Sequence, residues 1–139
     1  MKRILVIEDN PIVAKVVIAL LAKQYAVKWA GNGREGLALL SAESFDLVIT
    51  DLLMPEMEGL ETIRALRGQF PGIPILAMTG GSRFGSPGDL LHMAQDFGAA
   101  RTLRKPIQPG ELYEKVSECL ALSAGEASDG PGWSQIDRP

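Results

Sequence analysis

The chain has a single cysteine, Cys119, and so no internal disulfide, which fits a reducing compartment. Cys119 is expected on the inner face of the last helix, as a small core hydrophobe. No long run of lysine or arginine occurs, and the net charge is −3. That balance gives no electrostatic footprint for nucleic acid. No segment approaches the roughly 20 apolar residues of a membrane span. The longest apolar stretch, near Pro11–Ala22, is broken by Lys15. The opening residues, MKRILVIEDN, turn acidic too soon for a secretory signal. The expectation is a cytoplasmic protein with neither DNA nor membrane as a direct partner. What is present is ordinary for a soluble domain: 139 residues, 46% apolar and 22% charged, enough for one core.

Apolar runs alternate with amphipathic stretches five times along the chain. Ile4–Ile7 is continuously apolar, as a strand covered on both faces should be. Pro11 to Lys23 reads as a helix capped by Asn10. Tyr25–Trp29 alternates large with small or polar residues, like a strand nearer the edge. Asn32 and Glu35 have capping-box spacing and open a helix to about Glu43. Phe45–Thr50 is the third strand, followed by a helix from about Glu58 to Arg67. Ile73–Met78 is the fourth strand. Ser86-Pro87-Gly88-Asp89 opens a helix to Phe97, which Gly98 can end. Arg101–Arg104 is a short fifth strand, and Pro109 opens a last helix to about Leu122. The pattern is (βα)5, an α/β fold with a parallel five-stranded sheet and helices on both faces. The expected domain is 1–122. From Ser123 the residues turn to Gly, Ser, Pro and Asp, so 123–139 is expected to be a flexible tail, with Trp133 and Ile136 as its odd members.

Sites in open sheets of this kind form beyond the carboxyl ends of the strands. Glu8 and Asp9 end the apolar run ILVI, Asp51 ends FDLVIT, and Thr79 and Lys105 end two further runs, ILAM and RTLR. The topology therefore gathers three carboxylates, a hydroxyl and an ammonium at one edge. A single acid after a strand is commonly a helix cap or a solvated loop residue, and Asp9 alone suits capping of the first helix as well as it suits metal binding. The ordered combination points further. A carboxylate can attack phosphorus and become an acyl phosphate. That chemistry needs positioning and cancellation of charge on the phosphoryl oxygens. Mg²⁺ suits it, taking one or two carboxylates plus phosphate and keeping waters. Glu8 and Asp9 can anchor the ion, Asp51 can be ligand and nucleophile, and Lys105 and Thr79 can contact phosphoryl oxygens. Without a cation the acids repel one another, so their proton affinity should rise.

The strings LVIEDN, DLVITDLLMPEMEGLE, PILAMTG and the KP of LRKPI resemble the receiver domain of two-component response regulators. The resemblance runs from about Lys2 to Leu122. It implies a flavodoxin-like, doubly wound sheet of strand order 2-1-3-4-5. It implies that Asp51 accepts a phosphoryl group from the phosphohistidine of a histidine kinase or phosphotransfer protein. Glu8 and Asp9 then match the metal-binding acid pair, with the backbone carbonyl of Leu53 as a further Mg²⁺ ligand. Thr79 matches the switch hydroxyl and Lys105 the phosphate-contacting lysine. Output would pass to a protein target through the face of the fourth helix, fifth strand and fifth helix, from a monomer or weak dimer.

Three features depart from the family pattern. An aromatic residue usually stands three positions before the lysine, and here Thr102 occupies that switch position. Thr102 cannot perform the ring flip. The segment GGSRFGSPGD after Thr79 is longer than usual, and loop ordering at Gly80–Asp89 could replace the ring flip as the switch. Leu53 and Gly81, two residues after Asp51 and Thr79, offer no polar group to orient water, which favours slow loss of phosphate. His92, the only histidine, is expected on the surface of the fourth helix, since a phosphorelay histidine needs a helical-bundle setting.

The favoured reading is a stand-alone receiver that is not an enzyme beyond its own phosphorylation and dephosphorylation. Met1, so close to the first strand, fits a natural N-terminus, but a receiver cut from a hybrid kinase or larger regulator stays open. So does a pseudo-receiver that binds partners without phosphorylation. An Mg²⁺-dependent phosphohydrolase is disfavoured by Leu53, because such enzymes commonly carry an acid there.

Overall fold

Continuous apolar runs fold here as strands covered on both faces. The computed structural model describes residues 1–52, 59–80 and 87–129. Strands β1 (Arg3–Ile7), β2 (Ala26–Ala30), β3 (Leu47–Asp51), β4 (Ile75–Thr79) and β5 (Arg101–Arg104) alternate with five helices. These are α1 (Pro11–Leu21), α2 (Gly33–Ala42), α3 (Gly59–Gln69), α4 (Pro87–Phe97) and α5 (Pro109–Asp129). The strands pair in parallel in the order β2-β1-β3-β4-β5, the flavodoxin-like arrangement expected.

Strand alternation divides the core in two. Ile4, Val6, Leu47, Ile49, Leu76, Met78 and Leu103 point to one face, where Val17 and Leu21 of α1 and Leu112, Val116 and Cys119 of α5 cover them. Leu5, Ile7, Val48, Ile75 and Ala77 point to the other, against Leu40 of α2, Ile63 and Leu66 of α3 and Ala94 of α4. Cys119 is fully buried, as expected, and burial pushes its thiol up to about 11. His92 lies exposed on α4.

The helix starts follow their sequence signals. The Asn10 side chain accepts from the N–H groups of Ile12 and Val13 at 2.8 and 3.4 Å. Asn32 accepts from Glu35 N–H at 2.9 Å, and Glu35 reaches back to Gly31 N–H rather than to that of the cap residue. Gly98 has φ 124°, so it ends α4 in a conformation that side chains disfavour.

The last helix ends later than expected. Helix α5 runs past Leu122 to Asp129, so 123–129 of the expected tail is helical. Ala124, Glu126 and Ala127 are good helix formers, and one Gly costs only about 1 kcal/mol. The stop signal in the sequence, Gly130-Pro131, comes afterwards. Residues 130–139, with Trp133 and Ile136, lie outside the described residues, as do Leu53, Gly81 and most of the Gly80–Asp89 loop. Among the described residues no helix is long and apolar enough to cross a membrane.

Candidate functional site

The strand registers bring the chemically useful side chains to one edge. Ile7 lies opposite Thr50, so Glu8 and Asp51 follow on neighbouring strands. Asp51 lies opposite Met78, and Thr79 opposite Arg104, which places Thr79 and Lys105 beside them. The backbone N–H of Lys105 donates to the Thr79 carbonyl at 2.9 Å, extending the ladder past the end of β5. The Lys105-Pro106 peptide is cis.

Carboxylate oxygens of Glu8, Asp9 and Asp51 lie within 4.8 Å of one another. Glu8 and Asp51 are buried and Asp9 is exposed. Since Asn10 caps α1, Asp9 is not needed as the cap. Lys105 Nζ stands 3.1 Å from Glu8 Oε1 and 3.1 Å from Asp51 Oδ1, bridging the two buried acids. Glu8 Oε2 also accepts from Asn10 N–H at 3.1 Å.

These surroundings tune the charges. Burial, with the Asp51 charge adding to it, raises the Glu8 carboxyl to about 7. The Asn10 N–H and Lys105 offset only part of that rise. The expected increase in proton affinity of the crowded acids is thus present at Glu8. Burial acts to lower the Lys105 ammonium, but the Asp51 and Glu8 charges outweigh it and hold Lys105 above its ordinary value. A firmly charged lysine therefore partly balances a cluster rich in acid.

Thr79 completes the edge. Its side chain is fully buried, and Oγ1 has no hydrogen-bond partner among the described residues. A buried hydroxyl without a partner is costly, and it is a donor ready for an incoming oxygen. The donor set fits a hard cation. It is all oxygen, it carries enough negative charge, and exposed Asp9 would leave a bound ion open to water.

The structure thus brings together Glu8, Asp9, Asp51 and Lys105, with Thr79 on the adjoining strand. Thr102 stands apart in mid-β5, half-buried opposite Ala77. Two neighbours of the site escaped the sequence reading. Trp29 Nε1 donates to the Glu8 carbonyl at 2.7 Å. Gly80 lies so near Lys105 that an added β-carbon would meet Lys105 Cβ at 2.6 Å. An aromatic at the end of the strand beside β1, and a glycine directly after Thr79, were the available signals.

Comparison with known proteins agrees with this geometry. The family model for the response regulator receiver domain matches residues 4–117. The transcriptional regulatory protein GlrR of Escherichia coli is 34% identical over 122 residues, covering 87% of this chain and 27% of that protein. The chain therefore spans about a quarter of the length of that relative. Among solved structures, a CheY-like receiver domain protein from Methanospirillum hungatei superposes with TM-score 0.82 at 29% identity, covering 91% of this chain and 98% of that one. The chemotaxis protein CheY4 of Vibrio cholerae gives TM-score 0.76 at 31% identity, covering 86% and 98%.

Proposed function

The chain belongs to the response regulator receiver domain family, and from that premise we propose that Asp51 is the phosphoacceptor of a two-component switch. Receivers take their phosphoryl group from histidine kinases or phosphotransfer proteins, and they are not enzymes in the ordinary sense. In the proposed step an Asp51 carboxylate oxygen attacks the phosphorus of a partner phosphohistidine. The P–N bond breaks, a P–O bond to Asp51 forms, and the imidazole leaves with the bonding pair and takes up a proton.

Each neighbour has a part in that step. Lys105 already sits against an Asp51 oxygen and can contact a phosphoryl oxygen as charge accumulates there. The Thr79 hydroxyl can donate to another, gaining the partner that it lacks now. Glu8, Asp9 and Asp51 would hold Mg²⁺. When bound, the ion supplies positive charge to the phosphoryl oxygens. Loss of phosphate is proposed to be self-catalysed and slow, with Leu53 and Gly81 giving no polar help to water.

The single observation that carries this reading is the Lys105 ammonium, 3.1 Å from both Glu8 and Asp51 at the mouth of an acid cluster. Output is proposed to pass through α4, β5 and α5, where Met93 and Tyr113 are exposed. Thr102 and the loop after Thr79 are the proposed switch elements, acting in the cytoplasm in a unit bounded by residues 1–122.

The test is intact mass after incubation with Mg²⁺ and acetyl phosphate or phosphoramidate. A stable adduct of one phosphoryl group, absent in Asp51→Ala, is expected. No adduct overturns the proposal, and continuous release of phosphate with turnover shifts it to a hydrolase.

A further inference from the structure

The β1–β2 ladder ends where Ile7 meets Ala30. One step beyond, Glu8 N–H still donates to the Ala30 carbonyl at 3.0 Å. The Glu8 carbonyl is satisfied differently. It accepts a hydrogen bond from the indole of Trp29, with Nε1 at 2.7 Å. Glu8 is therefore clamped to β2 through both halves of its main chain, once by backbone and once by a side chain.

The clamp bears on Asp9. The Glu8 carbonyl belongs to the peptide unit that joins Glu8 to Asp9, and that unit is planar. Holding its oxygen sets the plane from which the Asp9 Cα departs. Among the described residues, no hydrogen bond or ion pair holds the Asp9 carboxylate, which is exposed. Glu8 and Asp51, by contrast, share Lys105. Asp9 thus depends on its backbone for its place among the three acids. Asn10 fixes the far side by capping α1, and Trp29 fixes the near side.

We infer that Trp29 is a positioning residue of the acid pocket, its indole N–H holding the Glu8–Asp9 peptide so that Asp9 can share a divalent cation with Glu8 and Asp51. The inference rests on the reading of that pocket as an Mg²⁺ site. Phe at the same position would keep a ring but remove the donor. Since Trp29 is itself 41% exposed at the end of an edge strand, its loss leaves the central core untouched.

The test is Mg²⁺ titration of the wild-type chain and of Trp29→Phe, followed by backbone amide resonances of residues 8–10, with metal-free thermal melts alongside. Trp29→Phe is expected to bind Mg²⁺ roughly five- to tenfold more weakly, the effect of one hydrogen bond. A merely structural tryptophan would lower the metal-free melting temperature and leave Mg²⁺ affinity unchanged, and that result overturns the inference while the metal site stands. A wild-type chain that takes up no Mg²⁺ overturns both. Should Trp29→Phe fail to fold, Trp133→Phe leaves Trp29 as the only indole. Its N–H resonance is expected to shift on Mg²⁺ saturation, and a resonance that stays in place overturns the inference.

Discussion

Gly80 lies directly under Lys105: a β-carbon at position 80 would come within 2.6 Å of Lys105 Cβ and 3.3 Å of its Cδ. The contact is with the root of the lysine side chain, not its mobile end. A larger residue therefore cannot be accommodated by a small swing of the ammonium. Gly80→Ala is expected to displace Lys105 from Glu8 and Asp51. The rate of phosphorylation by acetyl phosphate should fall by roughly tenfold or more, since small misplacements of a charge-stabilising group are expensive. An unchanged rate would show that Lys105 reaches the phosphoryl group from a different position.

The raised Glu8 carboxyl gives the metal-free protein a signed dependence on pH. Its value is about 7 in the fold against 4.5 for the ordinary group. Between those limits the native state binds more protons than the unfolded chain, so stability falls as pH rises. The melting temperature without metal should therefore climb as pH is lowered from about 8 toward 5. Saturating Mg²⁺ should flatten the trend, because the ion requires ionised carboxylates. Glu8→Gln removes the titrating group. A Gln variant that retains the full slope would assign it to a different residue.

The two effects also show what a sequence can and cannot disclose. Glu8, Asp51 and Thr79 each terminate an apolar run, Lys105 follows the short strand RTLR, and parallel topology carries strand ends to one edge. Their convergence needed only periodicity and order. The Gly80–Lys105 approach and the reach of the Trp29 indole depend on side-chain packing across strands, which no local pattern encodes. The end of α5 departs from expectation for another reason. Gly125 looks like a breaker, but its cost is small against the helix formers around it.

Lys105 is the main counter-charge for two buried acids. Lys105→Met is expected to destabilise the metal-free chain by about 1–3 kcal/mol, less than for a fully buried pair because the lysine side chain is 21% exposed. Mg²⁺ supplies positive charge to the same carboxylates, so it should raise the melting temperature of the variant more than that of the wild type. Thermal melts with and without millimolar Mg²⁺ measure both effects. The melts are run above pH 8, where Glu8 is ionised, and equal stability of the two metal-free proteins there would show that Lys105 does not offset the charge of the two acids.

Thr79 separates stability from signalling. Its buried hydroxyl has no hydrogen-bond partner among the described residues, so the unphosphorylated fold carries the cost of desolvating it. Thr79→Val keeps the shape and removes the polar atom. The variant should be as stable as the wild type or more stable, by up to about 1 kcal/mol, in urea denaturation. If the hydroxyl meets a phosphoryl oxygen on Asp51, the same variant should lose what phosphorylation adds: beryllofluoride, a phosphoryl mimic, should raise its melting temperature less than that of the wild type. Thr79→Ser retains the donor and should recover most of that gain. A Val variant that is destabilised and responds fully to beryllofluoride would place the Thr79 hydroxyl in the core of the fold and outside the switch.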